Sequence, residues 1–500
     1  MFERRQFLAW SAWAGGVWVL GDIAALADEL AQDRKPGWPD HPFLRGNFAP
    51  VAQEIEELQP RIVGKIPAEL NGVFVRNGPN PQFPPLRNYH WFDGDGMLHA
   101  VVLREGRASY RNRWIRTEGW KEERQAGRAL YPSVLDPPDP AAFSAGGPRF
   151  KNTANTAVVW HHGKLLALWE GGPPTEIRLP DLDTIGLYTF QGKLQHPFTA
   201  HPKLDPATGE LLCFGYNVLA RPYLQFSVIS PQGQIVSTRA IDLPRPVMMH
   251  DFAITQRYAV FLDLPYTFSM ARAIRGQPPF RFDPDAGARI GIVPRGGEGP
   301  IRWLEIQPCY VFHTLNAWEE DDAVILVACR YLRFPEAVEL SPRPAASDHA
   351  QPASDEAVLY RWRCDLKTGK VQEAALDDRS CEFPRIPDGL TGRRTRYGYC
   401  GRSGGEMFDG YLKYDLERQT STVHLHGGRR MGGEGVFLPR PGAVQEDDGW
   451  LLTFVYDPDQ DRSELTIVDA RDLSAAPLAR ILLPVRVPYG FHGTWVPLDS

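Results

Sequence analysis

A chain of 500 residues, 43% hydrophobic and 23% charged, carries enough apolar content for a large buried core. A net charge of -6 without a concentrated basic stripe argues against a nucleic-acid partner. The 46 glycines and 45 prolines are interleaved with recurrent apolar runs, which points to many turns and excludes a disordered chain.

The N-terminus reads MFERRQFLAWSAWAGGVWVLGDIAALADE. Arg4-Arg5 precedes Gln6-Phe7-Leu8 and a moderately apolar run, and Ala25-Leu26-Ala27 supplies an A-x-A cleavage signal. Residues 1–27 are therefore expected to be a twin-arginine-type export signal, with a membrane anchor and a packing helix as alternatives. The expected location is periplasmic or lumenal and membrane-associated, with a cytoplasmic, peripheral-membrane location as the alternative. Asp22 disfavours a spanning helix, because a buried charge is costly in lipid. Residues 28–45 read as an extended polar arm, and 46–500 as one β-rich domain.

From Asn47 the pattern becomes that of strands between turn signals. Pro67–Asn80 contains a strand, and Pro84–Asn88 reads as a loop. FDGDG in Trp91–His99 reads as a structural turn; a calcium loop would need the remaining EF-hand ligands. Hairpins are expected at Ala157–Trp160 with Leu165–Trp169, Leu224–Ile229 with Gln234–Ala240, Phe252–Thr255 with Tyr258–Leu264, and Val358–Cys364 with Lys370–Ala374. Further strands are expected at Gly410–Tyr414, Trp450–Tyr456 and Leu465–Val468. Helices are expected to be few, with the best candidates near Gln53–Leu58 and Lys121–Ala129. The pattern is that of an antiparallel all-β protein. No exact repeat is present, which leaves a degenerate propeller open. Pro/Arg-rich inserts at Arg272–Asp285 and Leu340–Ala353 read as loops on one face.

Six cysteines without C-x-x-C spacing argue against a zinc ribbon and read as buried free thiols. Of the 13 histidines, His201, His250, His313 and His492 lie at the edges of β-rich segments, and the central hypothesis is that they meet on one metal ion. Spacing alone does not select these four. His161 and His162 read as exposed in a hairpin turn, His349 as exposed in a polar loop, and His424 and His426 are the main rivals. An all-histidine set suits a redox-capable ion better than structural zinc. Metal-bound imidazoles give their second N–H to an acceptor, and Glu170, Glu382 and Glu434 end apolar runs where they could serve.

The motifs GNFAPV, NGVFVRNGPNPQF, FDGDGMLH, NTANTAVVWHHGKLLALWE, FTAHPKLDPATGE, PVMMHDFAIT, NAWEEDDAVILVACR, EFPRI and VPYGFHGTW occur in this order. On them, from about Phe43 to Val496, the chain resembles the carotenoid cleavage oxygenases, most closely the plant-type 9,10-cleavage dioxygenases. The resemblance implies a seven-bladed β-propeller with a dome of loops and short helices over an axial Fe(II), one per subunit. It implies His201, His250, His313 and His492 as ligands, with Glu170, Glu382 and Glu434 hydrogen-bonded to three of them. Thr156 matches a residue that crowds an open coordination position, and Trp169, Phe312 and Phe491 match places near the substrate tunnel. The implied reaction adds O₂ across one C=C bond of a carotenoid or apocarotenoid to give two carbonyls, with 9,10 and 9′,10′ as the expected positions. No protein nucleophile is required. A lipophilic polyene implies peripheral membrane contact, with Leu264–Met270 and Ala129–Phe143 as candidate apolar segments. The oligomeric state is left open. Alternatives are a stilbene-cleaving dioxygenase, which often grips its phenol with a Tyr and a Lys, a related isomerase, and a non-enzymatic ligand-binding propeller. The leader and the Pro-rich Tyr131–Arg149 segment depart from the plant pattern.

Overall fold

The computed structural model describes residues 37–134, 136, 150–275, 277–297, 299–334 and 356–498. The leader, the first half of the 28–45 arm, most of the Tyr131–Arg149 segment, the Leu340–Ala353 insert and His349 lie outside the described residues. Among the described residues no helix is long and apolar enough to cross a membrane.

The chain folds as short antiparallel strands, mostly joined to their sequence neighbours. The expected hairpins form. Ala157–His161 pairs with Lys164–Leu168 across a tight turn in which His162 and Gly163 both take positive φ, the geometry that matches strand twist. Leu224–Ile229 pairs with Ile235–Ile241, and Ala357–Asp365 with Val371–Arg385. Three of the sheets have four strands, and a fourth has five. A continuous path of pairings joins 13 more strands through the long strand Val371–Arg385. The last strand, Gly493–Pro497, pairs with Gly72–Pro79 near the start of the fold, so the two ends of the chain are laced together in one sheet. Gly72 is required at that seam: a Cβ there would lie 2.4 Å from the Trp495 ring.

The apolar core lies largely between neighbouring sheets. Phe214 and Phe226 of one sheet meet Phe252 and Phe261 of the next, with ring centroids 5.2–6.3 Å apart. Such rings bury large area and lock one sheet against another.

Two helix expectations resolve differently. Glu118–Ala126 is helical, with the Thr117 hydroxyl accepting the Trp120 N–H and Gly127 closing the end at φ +66°. Gln53–Leu58 is not helical; Glu56–Glu57 adds to the edge of Arg107–Trp114. The Asn112 side chain accepts the Ile55 N–H and donates to the Gln53 carbonyl, satisfying this backbone in extended form. FDGDG is a structural turn, as expected: Trp91–Asp93 forms one turn of 3₁₀-helix, and Asp93 accepts from the His90 and Val134 N–H groups. Within Leu264–Met270, Leu264 and Tyr266 enter the core, because Tyr266 packs on Tyr310 and Phe334.

Candidate metal centre

Four sheet edges converge on one place. His201 lies just before the two-residue edge strand Lys203–Leu204, and His250 just before Ala253–Ile254. His313 lies within the edge strand Tyr310–Glu320, and His492 immediately before the edge strand Gly493–Pro497. The pairing of Tyr310–Glu320 is irregular between Val311 and Thr314 and again between Thr314 and Asn316. Bulges of this kind re-aim a side chain, here that of His313.

The four imidazoles each offer a nitrogen within 4.8 Å of the others. The Nε2 atoms of His201 and His250 are 2.9 Å apart. Two nitrogens about 2.1 Å from a shared ion would subtend roughly 90° at that spacing. His313 Nε2 is fully buried and has no protein partner, as a ligand position requires. Three outer nitrogens are held by carboxylates: His250 Nδ1 by Glu170 at 2.5 Å, His313 Nδ1 by Glu382 at 2.6 Å and His492 Nδ1 by Glu434 at 3.0 Å. These contacts place the proton on Nδ1 and turn the Nε2 lone pair inward. His201 contacts no carboxylate among the described residues; its backbone N–H is fixed by the Thr199 hydroxyl at 3.0 Å. The donor set fits one borderline ion such as Fe(II).

Electrostatics favour neutral rings. Burial, followed by the neighbouring imidazoles and Lys203, holds His201 and His313 well below the usual imidazole range. Burial pushes the Glu382 carboxyl well above the usual carboxylate range, although it accepts the Phe383 N–H. Burial also raises Glu434, but Arg385, His492 and the Gly493 N–H outweigh it and leave that carboxyl low. A cation among the Nε2 atoms would oppose the effect of burial on Glu382 and favour the carboxylate form of each glutamate.

Several supporting residues escaped the reading of the sequence. The Tyr216 hydroxyl donates to Glu170 at 2.7 Å, on the carboxylate edge opposite His250. Asp251 ties three ligand-bearing segments together. It pairs with Lys203 Nζ at 2.7 Å, accepts the Thr314 N–H and hydroxyl at 2.8 Å each, and follows His250 directly. Nothing local could reveal this contact, since its partners lie far apart in the chain. His424 is buried and His426 half-buried elsewhere: His424 Nδ1 bonds the Leu473 carbonyl, and His426 covers Gly432. His161, expected exposed, is buried with its Nε2 on the Gly209 carbonyl, because the hairpin end packs on the 205–209 turn.

Two unlike spaces lie near the four histidines. Towards one, the Phe312 ring stacks on His250 with centroids 4.0 Å apart, and Phe92 continues the aromatic path to Phe491 and Trp91. Trp169 lines a cavity of about 60 Å³ with Phe83, Tyr89, Phe92 and Phe150. Its ring lies over Gly171, where a Cβ would come within 2.5 Å, which accounts for the glycine pair in WEGG. The other, a cavity of about 370 Å³, carries Lys203, Asp251, Asn316 and Arg385. Thr156 lies beside the centre: its carbonyl accepts the His492 N–H at 3.1 Å, and its hydroxyl donates to Asn155.

An all-β protein whose sheet edges deliver four imidazoles to one point, three of them backed by carboxylates, is a mononuclear metal protein by fold and donor set. Residues 48–497 match the family described as RPE65, retinal pigment epithelial membrane protein, and the chain belongs to this RPE65/carotenoid cleavage oxygenase family. It is 38% identical over 493 residues to carotenoid 9,10(9′,10′)-cleavage dioxygenase 1 of Arabidopsis thaliana, covering 91% of this chain and 89% of the relative. The carotenoid cleavage oxygenase of Mycobacterium tuberculosis is 35% identical, covering 91% and 98%. Among solved structures, cobalt-substituted Synechocystis ACO superposes with a TM-score of 0.80 at 33% identity, covering 90% of this chain and 97% of that one. Pseudomonas brassicacearum lignostilbene dioxygenase gives a TM-score of 0.83 at 32% identity, covering 93% and 100%.

Proposed function

We infer that the protein is an Fe(II) dioxygenase that cleaves a conjugated C=C bond of a carotenoid or apocarotenoid to give two carbonyl products. The observation that carries this reading is the convergence of His201, His250, His313 and His492 with Nδ1 of three of them on Glu170, Glu382 and Glu434. Fe(II), when bound, supplies the activation of O₂. The protein's own residues do the rest. The three glutamates keep the Nδ1 protons in place and present neutral Nε2 donors. Phe312, Phe92, Phe491 and Trp169 offer an apolar, aromatic surface beside the centre, suited to laying one polyene double bond against it and excluding water. Thr156 is the residue proposed to crowd one open coordination position, a reading supported by its carbonyl accepting the His492 N–H. No carboxylate is needed as a nucleophile. Cleavage at 9,10 and 9′,10′ is the position proposed, by likeness to the plant relatives. Incubating iron-loaded protein with a carotenoid under air should give paired carbonyl products, and His313→Ala should give none.

A stilbene substrate is the second reading, prompted by the lignostilbene dioxygenase neighbour. Tyr131 and Lys151 do line the Trp169 cavity. Lys151 is committed to Asp95 at 3.0 Å and Glu123 at 2.8 Å, and the Tyr131 hydroxyl donates to Glu122, so neither is positioned to grip a phenol.

The sheets support a seven-bladed propeller over residues 46–500. Val371–Arg385 pairs with Ala357–Asp365 through its first part and with Tyr397–Ser403 through its last, so it serves two successive blades. Dividing the 13-stranded sheet there and at the two-residue strand Met431–Gly432 gives three groups beside the four other large sheets. Leu86, Val134 and Phe150 are exposed and line the aromatic cavity, which supports substrate uptake from a membrane at that mouth. The Arg4-Arg5 leader supports export by a twin-arginine route. Fractionating cells that make the full chain checks it: an Arg4→Lys/Arg5→Lys variant should stay in the cytoplasm.

A further inference from the structure

Three of the six cysteines meet. Cys329 comes from the strand Ala323–Tyr331, Cys381 from Val371–Arg385 and Cys400 from Tyr397–Ser403, and all are buried. Their Sγ atoms lie within 4.8 Å of one another. Buried thiols are ordinary core residues when dispersed, as Cys213, Cys309 and Cys364 are. Three sulfurs facing one another across three strands, inside a core of Leu315, Trp318, Leu359 and Leu412, are a different arrangement. The Tyr414 hydroxyl lies 3.7 Å from Cys381 Sγ. Thiolates about 2.3 Å from a tetrahedral ion stand roughly 3.8 Å apart, so the cluster needs little movement to close on one.

We propose that Cys329, Cys381 and Cys400 form a second, structural metal site for a thiophilic d¹⁰ cation of the Zn²⁺ class, with the Tyr414 hydroxyl at the fourth corner. Binding one divalent ion releases three thiol protons and leaves a tris-thiolate complex with one net negative charge. Fe(II) keeps to the four imidazoles and the softer ion to the sulfurs. The site bears on the reaction centre through the chain itself: Cys381 directly precedes Glu382, which accepts from His313 Nδ1. An ion at the thiols would fasten the strand that carries this carboxylate.

Cobalt(II) is the probe, because thiolate-to-cobalt charge transfer absorbs in the near ultraviolet whereas an all-histidine site gives only weak visible bands. The full chain, stripped and reloaded, should take up about two equivalents of Co²⁺ and show the thiolate band, in keeping with one S-rich and one N-rich site. Cys400→Ala should lose the near-ultraviolet band and about half the metal while keeping only the weak visible bands of the histidine centre. Cys213→Ala, buried outside the cluster, should keep both. Zn²⁺ measured by mass spectrometry in the freshly purified chain gives a reading that needs no variant. A single equivalent with visible bands alone, or a near-ultraviolet band unchanged in Cys400→Ala, would overturn the proposal. Failure of the histidine centre would instead leave one equivalent of cobalt with the thiolate band intact, so the two readings fail separately.

Discussion

Which imidazole nitrogen carries the proton decides whether the centre can hold an ion. Glu382 Oε2 fixes His313 Nδ1 at 2.6 Å and leaves Nε2 buried and facing the other histidines. Glu382→Gln removes the charge that supports the ligand and should cut iron affinity about 10- to 100-fold, read as iron lost to a competing chelator. Asp251 tests a different idea, that the ligand segments are braced against one another. Asp251→Ala leaves Lys203 and the Thr314 N–H without their partner, and should lower stability by about 3 kcal/mol in urea denaturation. Iron retention should fall with it, although Asp251 touches no ligand nitrogen. The four histidines and three glutamates were legible through family motifs, whereas spacing alone left His424 and His426 as rivals. Asp251, Tyr216 and Arg385 were not legible, because each acts across segments remote in sequence and shows no local pattern.

Elements carry the ligands by their edges. The hairpins were read correctly because alternating apolar residues and turn chemistry coincide in them, as around His162-Gly163. Of the innermost strands, Ala253–Ile254 lies within the expected Phe252–Thr255 strand, whereas Lys203–Leu204 was not read, being too short for any periodicity to register. Gln53–Leu58 misled in the opposite sense: its backbone is satisfied by the Asn112 side chain, which no local helix signal reveals. The seam between Gly72–Pro79 and Gly493–Pro497 joins an early strand to the last one and places His492. Ending the chain after His492 should therefore abolish cooperative unfolding and iron binding together. Gly72→Val is the milder test; it drives a side chain into Trp495 and should lower the melting temperature while leaving the assembled centre's donor set intact.

Burial of neutral histidines gives the whole molecule an acid weakness apart from the metal. Burial lowers His90 to about 4 and His426 to about 3. Both are depressed below the unfolded value of about 6.5, so the unfolded chain takes up protons first as pH falls. Their contribution to stability is complete above about pH 6.5 and is lost progressively towards about pH 4 and below. Urea midpoints taken from pH 7.5 to pH 5 should fall, and His426→Phe should flatten that slope. At the mouth of the aromatic cavity Leu86, Val134 and Phe150 should govern binding to lipid vesicles, and replacing all three by Ser should reduce sedimentation with vesicles without removing iron. The most direct measurement is of the products. Iron-loaded full chain is given β-carotene, an apocarotenal and a hydroxystilbene separately in detergent under ¹⁸O₂, and the products are weighed by mass spectrometry. Carbonyl pairs are expected from a carotenoid substrate, their masses summing to substrate plus one O₂, and none from His313→Ala. Cleavage of the stilbene alone, or no cleavage of any substrate while the four histidines hold iron, would contradict the proposed function.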